Sequence, residues 1–144
     1  MRILFCFGPN LGGLGTREPQ KYGAETLAEI MSEVGEHASR LGHEVEWRQS
    51  DHEGDLVGWL NGAVQEGFDA VVVNPGALTH YSYALRDAVE ASSAPVLEVH
   101  MTNIYAREEF RRHSVISPVC RATIAGAGAG GYHLALEALP WITG

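Results

Sequence analysis

The chain has few cysteines and few basic residues, and it lacks a long apolar run. Two cysteines in 144 residues form no disulfide framework and no CxxC metal site. Ten Lys and Arg against 18 Asp and Glu give a net charge of −8, which argues against binding to nucleic acid or anionic lipid. No span of about 18 apolar residues is present to cross a membrane. The opening MRILFCFG is too short for a signal peptide, so we expect a cytoplasmic protein.

Familiar metal and phosphate motifs are also missing from the sequence. There is no HExxH, no Cys–His cluster and no ligand spacing among the histidines, so we expect no metal. There is no GxxxxGK[ST] for a nucleotide phosphate and no GxSxG for a serine hydrolase. GAGAGG at 126–131 fits GxGxxG, but only 13 residues follow it, so the acidic residue about 20 positions on is missing. We interpret this segment as a tight turn between a strand and a helix.

Apolar β-branched runs alternate with helical patterns along the whole chain. The pattern predicts strands over 2–7, 44–48, 69–73, 95–100 and 121–125. It predicts helices over 24–41, 53–66, 82–91, 107–112 and 131–139, with Leu41 and Val64 on the inner faces of the first two. Continuous apolar strands joined by helices are typical of a parallel sheet covered on both faces. We therefore expect one α/β domain over 1–144, with a doubly wound five-stranded sheet of order 2-1-3-4-5.

Polar side chains gather where the predicted strands end. In a sheet of this order, ligands bind beyond the carboxyl ends of the strands, near the switch point between strands 1 and 3. A Gly- and Pro-rich loop over 8–23 follows strand 1, and its length is typical of a functional loop. Glu98 and His100 end strand 4, and the other polar residues at strand ends are Asn10, Arg17, Tyr22, Ser50, Asp51, His52, Asn74, Thr79, His80, Thr102, Asn103, Arg107 and Arg111. We expect a site at this edge.

Two groups among these residues are suited to proton transfer. Glu98 and His100 are two apart on a strand and share a face, where a carboxylate can orient an imidazole. The pair fits either a proton-transfer group or a satisfied structural pair. Tyr22 could act as a base only if cations stabilised its phenolate, and several arginines follow the same strand ends. A loop tyrosine is also commonly a packing residue.

Four motifs resemble those of the type II 3-dehydroquinate dehydratases, in the same order and spacing. They are GPNLGGLGTREPQKYG, QSDHEGDL, NPGALTHYSYALRDAV and EVHMTNIYAREEFRRHS, and the resemblance spans roughly residues 2–139. It implies a flavodoxin-like subunit packed into trimers, four of which form a dodecamer. It also implies a reversible, cofactor-free dehydration of 3-dehydroquinate to 3-dehydroshikimate, with the 8–23 loop as a catalytic lid.

The resemblance implies an anti elimination through an enolate. Tyr22 would take a proton from C2 as a phenolate, which Arg107 would favour. Arg17 would close over the site in the mobile loop, and Asn10 would hold a water at the enolate oxygen.

The resemblance also implies an acid and a set of substrate contacts. His100 would protonate the departing C1 hydroxyl, with Glu98 orienting the ring. Asn74 would lie beside that hydroxyl, and the backbone amides of Met101 and Thr102, with the Thr102 hydroxyl, would bind the substrate carboxylate. His80 and Arg111 would bind the ring hydroxyls. Asp87 would reach the site of a neighbouring subunit.

The chain departs from the usual motifs of this family at four positions. Gly12 stands where Asn is usual, Leu78 where Tyr is common, Thr102 where Ser is common, and Asp51 where Asn is common. No matched catalytic position is lost. Two alternatives stay open: the same dehydration of an amino analogue of dehydroquinate, and a non-catalytic oligomer that binds a small ligand. A flavin or nucleotide carrier on the same sheet has no phosphate loop to support it.

Overall fold

The computed structural model describes residues 1–143, which form a sheet of five parallel strands in the order β2-β1-β3-β4-β5. The strands are β1 Arg2–Phe7, β2 Glu44–Gln49, β3 Ala70–Asn74, β4 Val96–His100 and β5 Ala122–Ala125. The helices are α1 Pro19–Tyr22, α2 Leu27–Arg40, α3 Glu53–Gly62, α4 Tyr83–Ala91 and α5 Gly130–Ile142. The predicted strand order is confirmed, and each strand lies within two residues of its predicted range.

Helices cover both faces of the sheet, which explains why the strands are apolar without interruption. Successive side chains of β1 enter different layers, so Phe5 packs with α2 and α5 while Leu4 packs with α3 and α4. β3 is buried at all five positions, as expected for a central parallel strand. No helix within residues 1–143 is both long and apolar enough to span a bilayer.

The predicted inward positions of Leu41 and Val64, near the ends of two helices, are wrong. α2 stops at Arg40, and Gly42 follows with φ +79°, so Leu41 lies past the helix and is 38% exposed rather than inward. α3 stops at Gly62, and Val64 is 46% exposed, also against the prediction. The chain turns there because the Phe68 amide donates to the Ala63 carbonyl and leads directly into β3.

The helix predicted over 107–112 is also wrong. Two separate 3₁₀ turns occupy this region, Ile104–Ala106 and Glu109–Arg111. Between them, Arg107 and Glu108 have extended backbone torsions, which interrupt the hydrogen-bond ladder that a continuous helix needs.

Glycine conformation supports the interpretation of 126–131 as a tight turn. Gly126 has φ +93° and Gly128 has φ +57°, torsions that L side chains rarely adopt. A Cβ on Gly131 would lie 3.0 Å from Cγ1 of Val99, so the start of α5 packs directly on β4. The glycines in this segment therefore serve the turn and the close packing of a helix on the sheet.

Candidate active site

Two glycine turns bring the ends of β1 and β3 into contact at one edge of the sheet. The Gly8 amide donates to the Asn74 carbonyl over 2.8 Å, and a Cβ on Gly8 would overlap the carbonyl oxygen of Pro75. Gly76 has φ +59°, and a Cβ there would lie 3.0 Å from the carbonyl oxygen of Pro9. Since only glycine permits this approach, the two turns hold the residues that follow β1 and β3 side by side.

A cleft opens at this edge, beyond the carboxyl ends of the strands, as the topology predicts. Ten of the predicted site residues line it: Asn10, Arg17, Tyr22, Asn74, His80, His100, Met101, Thr102, Arg107 and Arg111. The wall also contains small and apolar residues that the sequence analysis did not name: Pro9, Leu11, Gly76, Ala77 and Ile104. The structure therefore gathers residues from three separate chain segments, 9–22, 74–80 and 100–111, into one site.

The other two predicted site residues lie outside the cleft. Glu98 is fully buried behind His100. Asp87 lies on α4 with an exposed side chain, away from the cleft of its own subunit. The predicted contact of Asp87 with a neighbouring subunit stays a prediction.

Glu98 and His100 form a buried hydrogen-bonded pair, as their spacing on β4 predicts. His100 Nε2 lies 2.9 Å from Oε1 of Glu98, and the His100 side chain is only 7% exposed. Because Nε2 bonds to the carboxylate, Nδ1 is the ring nitrogen that remains available to a ligand.

Three hydroxyl groups surround the Glu98 carboxylate, and we call them the hydroxyl cage: Thr79, Ser114 and Ser117. The Ser114 hydroxyl lies 2.8 Å from Oε1, Thr79 also donates to Oε1, and Ser117 donates to Oε2. Burial alone would raise the pKa of Glu98. The bonds from His100, Ser117 and Thr79, together with the charge on His100, outweigh that effect and hold the pKa below its usual range.

Most of this cage could not be predicted from the sequence. Thr79 is expected at a strand end, but serine is too common for Ser114 and Ser117 to stand out. Their partner is distant in sequence, so spacing along the chain gives no signal. Only the fold brings the segment 114–117 against the end of β4.

Tyr22 lies between two arginines. Arg107 Nη1 donates to the Tyr22 hydroxyl oxygen over 3.1 Å, and the Arg17 guanidinium lies 5.0 Å from the centre of the Tyr22 ring. One guanidinium therefore contacts the hydroxyl of Tyr22, and a second lies over its ring. Both arginines are among those named for this tyrosine in the sequence, and the role of the group stays a prediction.

A backbone contact fixes Asn10 at the start of the 8–23 loop. Asn10 has φ +70°, a left-handed torsion that asparagine tolerates better than most residues. Its amide donates to Oδ1 of Asp51 over 2.9 Å, and Gln49 Nε2 donates to the same oxygen over 3.1 Å. These two bonds lower the pKa of Asp51, so the carboxylate stays ionised as an acceptor.

Hydrogen bonds also fix the side chains of Asn74 and His80. Asn74 Nδ2 donates to the Tyr132 hydroxyl over 2.8 Å, and Asn74 Oδ1 accepts from the Gly76 amide over 3.1 Å. His80 Nδ1 lies 2.7 Å from the His113 carbonyl, so Nδ1 carries the proton and neutral His80 presents Nε2 as an acceptor. Burial, opposed by that bond, lowers the pKa of His80 and favours this neutral form.

Chemically, the cleft combines two proton-transfer groups with donors for an anion. One is a phenol held by a guanidinium, and the other is an imidazole held by a buried carboxylate. Three arginines line the same cleft, and guanidinium groups suit the recognition of a small acid. Among residues 1–143, no three His, Cys, Asp or Glu side chains are grouped so that they could hold a metal ion.

Comparison with known proteins shows which family the chain belongs to. The model of the family Dehydroquinase class II matches residues 1–140. The 3-dehydroquinate dehydratase of Pelotomaculum thermopropionicum is 54% identical over 144 residues, covering 100% of this chain and 99% of that protein. The type II dehydroquinase structure from Butyrivibrio crossotus is 44% identical with a TM-score of 0.95, and the match covers 97% of each chain. The type II dehydroquinase structure from Propionibacterium acnes is 46% identical with a TM-score of 0.91, and the match covers 99% of this chain and 95% of that one. Since both length and fold match throughout, the chain belongs to the class II dehydroquinase family.

Proposed function

We propose that this chain is a lyase that catalyses the reversible dehydration of 3-dehydroquinate to 3-dehydroshikimate. The observation that carries the proposal is the 3.1 Å bond from Arg107 to the Tyr22 hydroxyl, in the same cleft as the His100–Glu98 pair. A base and an acid in one cleft are what an elimination of water requires. The names of the family's members favour dehydroquinate over an amino analogue, and an assay with both compounds compares them.

The proposed reaction is an anti elimination in two steps. Tyr22, as a phenolate, removes a proton from C2, and the electron pair moves onto the C3 carbonyl oxygen to give an enolate. Asn10 holds a water that donates to this oxygen, since stabilising charge that develops during the reaction is a large catalytic effect. The enolate then expels the C1 hydroxyl, which leaves as water with a proton from His100. The reaction transfers protons and releases water with no net oxidation or reduction, so we expect no cofactor.

The remaining cleft residues bind the substrate in this proposal. The backbone amides of Met101 and Thr102, with the Thr102 hydroxyl, bind the carboxylate. His80 Nε2 accepts a hydrogen bond from a ring hydroxyl, consistent with the proton that Nδ1 directs to the His113 carbonyl. Arg111 binds a second ring hydroxyl, and Asn74 lies beside the departing hydroxyl.

The segment 8–23 is proposed as a lid within the single domain 1–144. Leu11 and Leu14 are buried and fix the first part of the segment to the core, while Arg17 and Tyr22 come from its second part. Closing this second part over the substrate would exclude water and bring Arg17 onto the bound acid.

Assembly and location are further predictions of the proposal. We expect trimers, four of which form a dodecamer, with Asp87 at the site of a neighbouring subunit. The exposed position of Asp87 on α4 is compatible with such a contact, and the native mass in solution checks it. A cytoplasmic location also stays a prediction, which cell fractionation tests.

Tyr22→Phe tests the proposed function, because it removes the base and keeps the ring. We expect kcat to fall by about 10²–10⁴-fold, measured by the absorbance of the enone product, with an unchanged circular dichroism spectrum. Tyr105→Phe is the matched control, since Tyr105 is 62% exposed and lies outside the cleft. Near-parental turnover by the Tyr22→Phe variant would mean that another group is the base.

A further inference from the structure

The negative charge of Glu98 is buried without a lysine or arginine to balance it. Glu98 is 0% exposed, and among residues 1–143 its only charged hydrogen-bond partner is His100. A buried carboxylate that lacks donors takes up a proton, because the charged form is poorly solvated. His100 contributes most to keeping Glu98 ionised, and the hydroxyls of Ser117 and Thr79 add to its effect.

The hydrogen-bond pattern directs the cage protons toward the carboxylate. Ser114 Oγ accepts the amides of Ile116 over 3.1 Å and of Ser117 over 2.9 Å, which occupies both of its lone pairs. Its own proton is directed either to Glu98 Oε1 at 2.8 Å or to Thr79 Oγ1 at 2.7 Å. Thr79 donates its proton to the same carboxylate oxygen, so the cage supplies donors and no proton acceptor that outcompetes Glu98.

Other titratable groups near the pair do not replace the cage. Burial raises the pKa of the Cys120 thiol to about 12, and the charge of Glu98 adds to the rise, so the thiol is neutral. His80 is held neutral by burial. Arg111 lines the cleft and donates to Glu108 over 2.6 Å rather than to Glu98.

We propose that Thr79 and Ser117 are positioning residues for proton transfer by His100. Their hydroxyls keep Glu98 ionised, and ionised Glu98 accepts the Nε2 proton of His100 and presents Nδ1 to the cleft. The inference rests on the proposed function, because it assumes that His100 donates a proton in that reaction. It adds residues that lie behind the cleft and touch no substrate.

Two substitutions of Thr79 separate the hydroxyl from packing. Thr79→Val keeps the side-chain volume and removes the hydroxyl, whereas Thr79→Ser keeps the hydroxyl and removes a methyl group. A packing role predicts damage from Ser and tolerance of Val, and the positioning role predicts the reverse. Ser117→Ala is the second variant, and it tests the other carboxylate oxygen if Thr79→Val fails to fold.

The expected result is a change in the pH dependence of the reaction. In Thr79→Val, the acidic limb of kcat moves to higher pH by about one unit while KM stays near the parental value, because fewer donors raise the pKa of Glu98. The carboxyl carbon resonance of Glu98 titrates with the same shift in the free protein. Thr79→Ser retains the parental acidic limb of kcat. Thr123→Val also retains it, because the native Thr123 hydroxyl contacts Ser117 over 3.0 Å but does not contact Glu98.

The outcomes distinguish this inference from the proposed function. An unshifted acidic limb in both Thr79→Val and Ser117→Ala overturns the positioning role, whatever Tyr22→Phe shows. A larger shift in Thr79→Ser than in Thr79→Val also overturns it, since packing would then be the cause. A parent chain that does not dehydrate dehydroquinate overturns the proposed function itself.

Discussion

Tyr132 shows how a core residue controls the position of a cleft residue. Its ring is fully buried and packs edge-on against Phe7, with ring centres 5.3 Å apart. Burial raises the pKa of its hydroxyl, against a smaller opposite effect of the Asn74 bond, so the group is a neutral phenol. That phenol accepts from Asn74 Nδ2 over 2.8 Å, at the end of β3.

Tyr132→Phe is expected to destabilise the protein and to impair catalysis mildly. The ring packing is kept, but Asn74 Nδ2 loses its partner in a buried position, at a cost of about 1–3 kcal/mol. Denaturant unfolding measures this cost. Activity should fall only a few-fold, because the Gly76 amide still holds Asn74 Oδ1.

Tyr83→Phe is the matched control, since Tyr83 is 69% exposed. Equal free energies of unfolding for the Tyr132→Phe and Tyr83→Phe variants would contradict the assigned bond. Comparing kcat of the same two variants measures how much the orientation of Asn74 matters to turnover.

At the level of single residues, the sequence predicts pairs on one element better than pairs across the fold. Glu98 and His100 were predictable as neighbours because a strand places every second side chain on one face. The bond from Asn74 to Tyr132 joins residues 58 apart. Nothing in either local pattern marks it, since β3 and α5 meet only when the sheet is assembled.

Among the elements, the contact between the two glycine turns is the most constrained. The turn after β1 and the turn after β3 meet backbone to backbone at Gly8 and Pro75. The neighbouring strands are in register up to this point, with Phe7 paired to Asn74. The contact therefore sets where the 8–23 segment leaves the sheet.

Gly8→Ala is expected to destabilise the protein and to reduce activity strongly. The new methyl group would overlap the Pro75 carbonyl, which belongs to the backbone and cannot rotate away as a flexible side chain could. Overpacking of this kind costs about 1–3 kcal/mol, and separating the turns would move Asn10. Thermal unfolding and kcat measure the two effects.

Gly58→Ala provides the opposite control within α3. A Cβ on Gly58 would meet no atom within 4 Å, and the residue lies in a helix, where alanine is favoured by about 0.5–1 kcal/mol. The substitution should raise the unfolding midpoint and leave kcat unchanged. A Gly8→Ala variant as stable as Gly58→Ala would show that the turns can separate without cost.

The elements were predictable because their periodicity is strong, but the ends of several helices were not. The break in helical structure at 107–108 contains no Gly or Pro that would predict it. The polar residues there are as compatible with a surface helix as with two turns. Val64 fits the apolar stripe of α3, yet the chain leaves the helix before reaching it. Tertiary contacts decide such ends.

Several histidines are partly buried by the fold, and this lowers their pKa and favours the neutral form. Burial is the main cause that lowers the pKa of His43, His80 and His133, with nearby positive charges adding to it. His133 also contacts His37, with their Nδ1 atoms 2.9 Å apart. Only one proton fits between these two nitrogens, so protonating both rings would break this hydrogen bond between α2 and α5.

These histidines predict that the protein loses stability as the pH falls below about 6.5. Below this pH the unfolded chain binds more protons at these histidines than the folded chain does, so the free energy of unfolding decreases from about pH 7 toward pH 5. Denaturant unfolding at several pH values measures the slope. His133→Gln should flatten it, whereas His113→Gln, at an exposed side chain, should not. Equal slopes for the two variants would show that the α2–α5 contact does not contribute to the acid sensitivity of the fold.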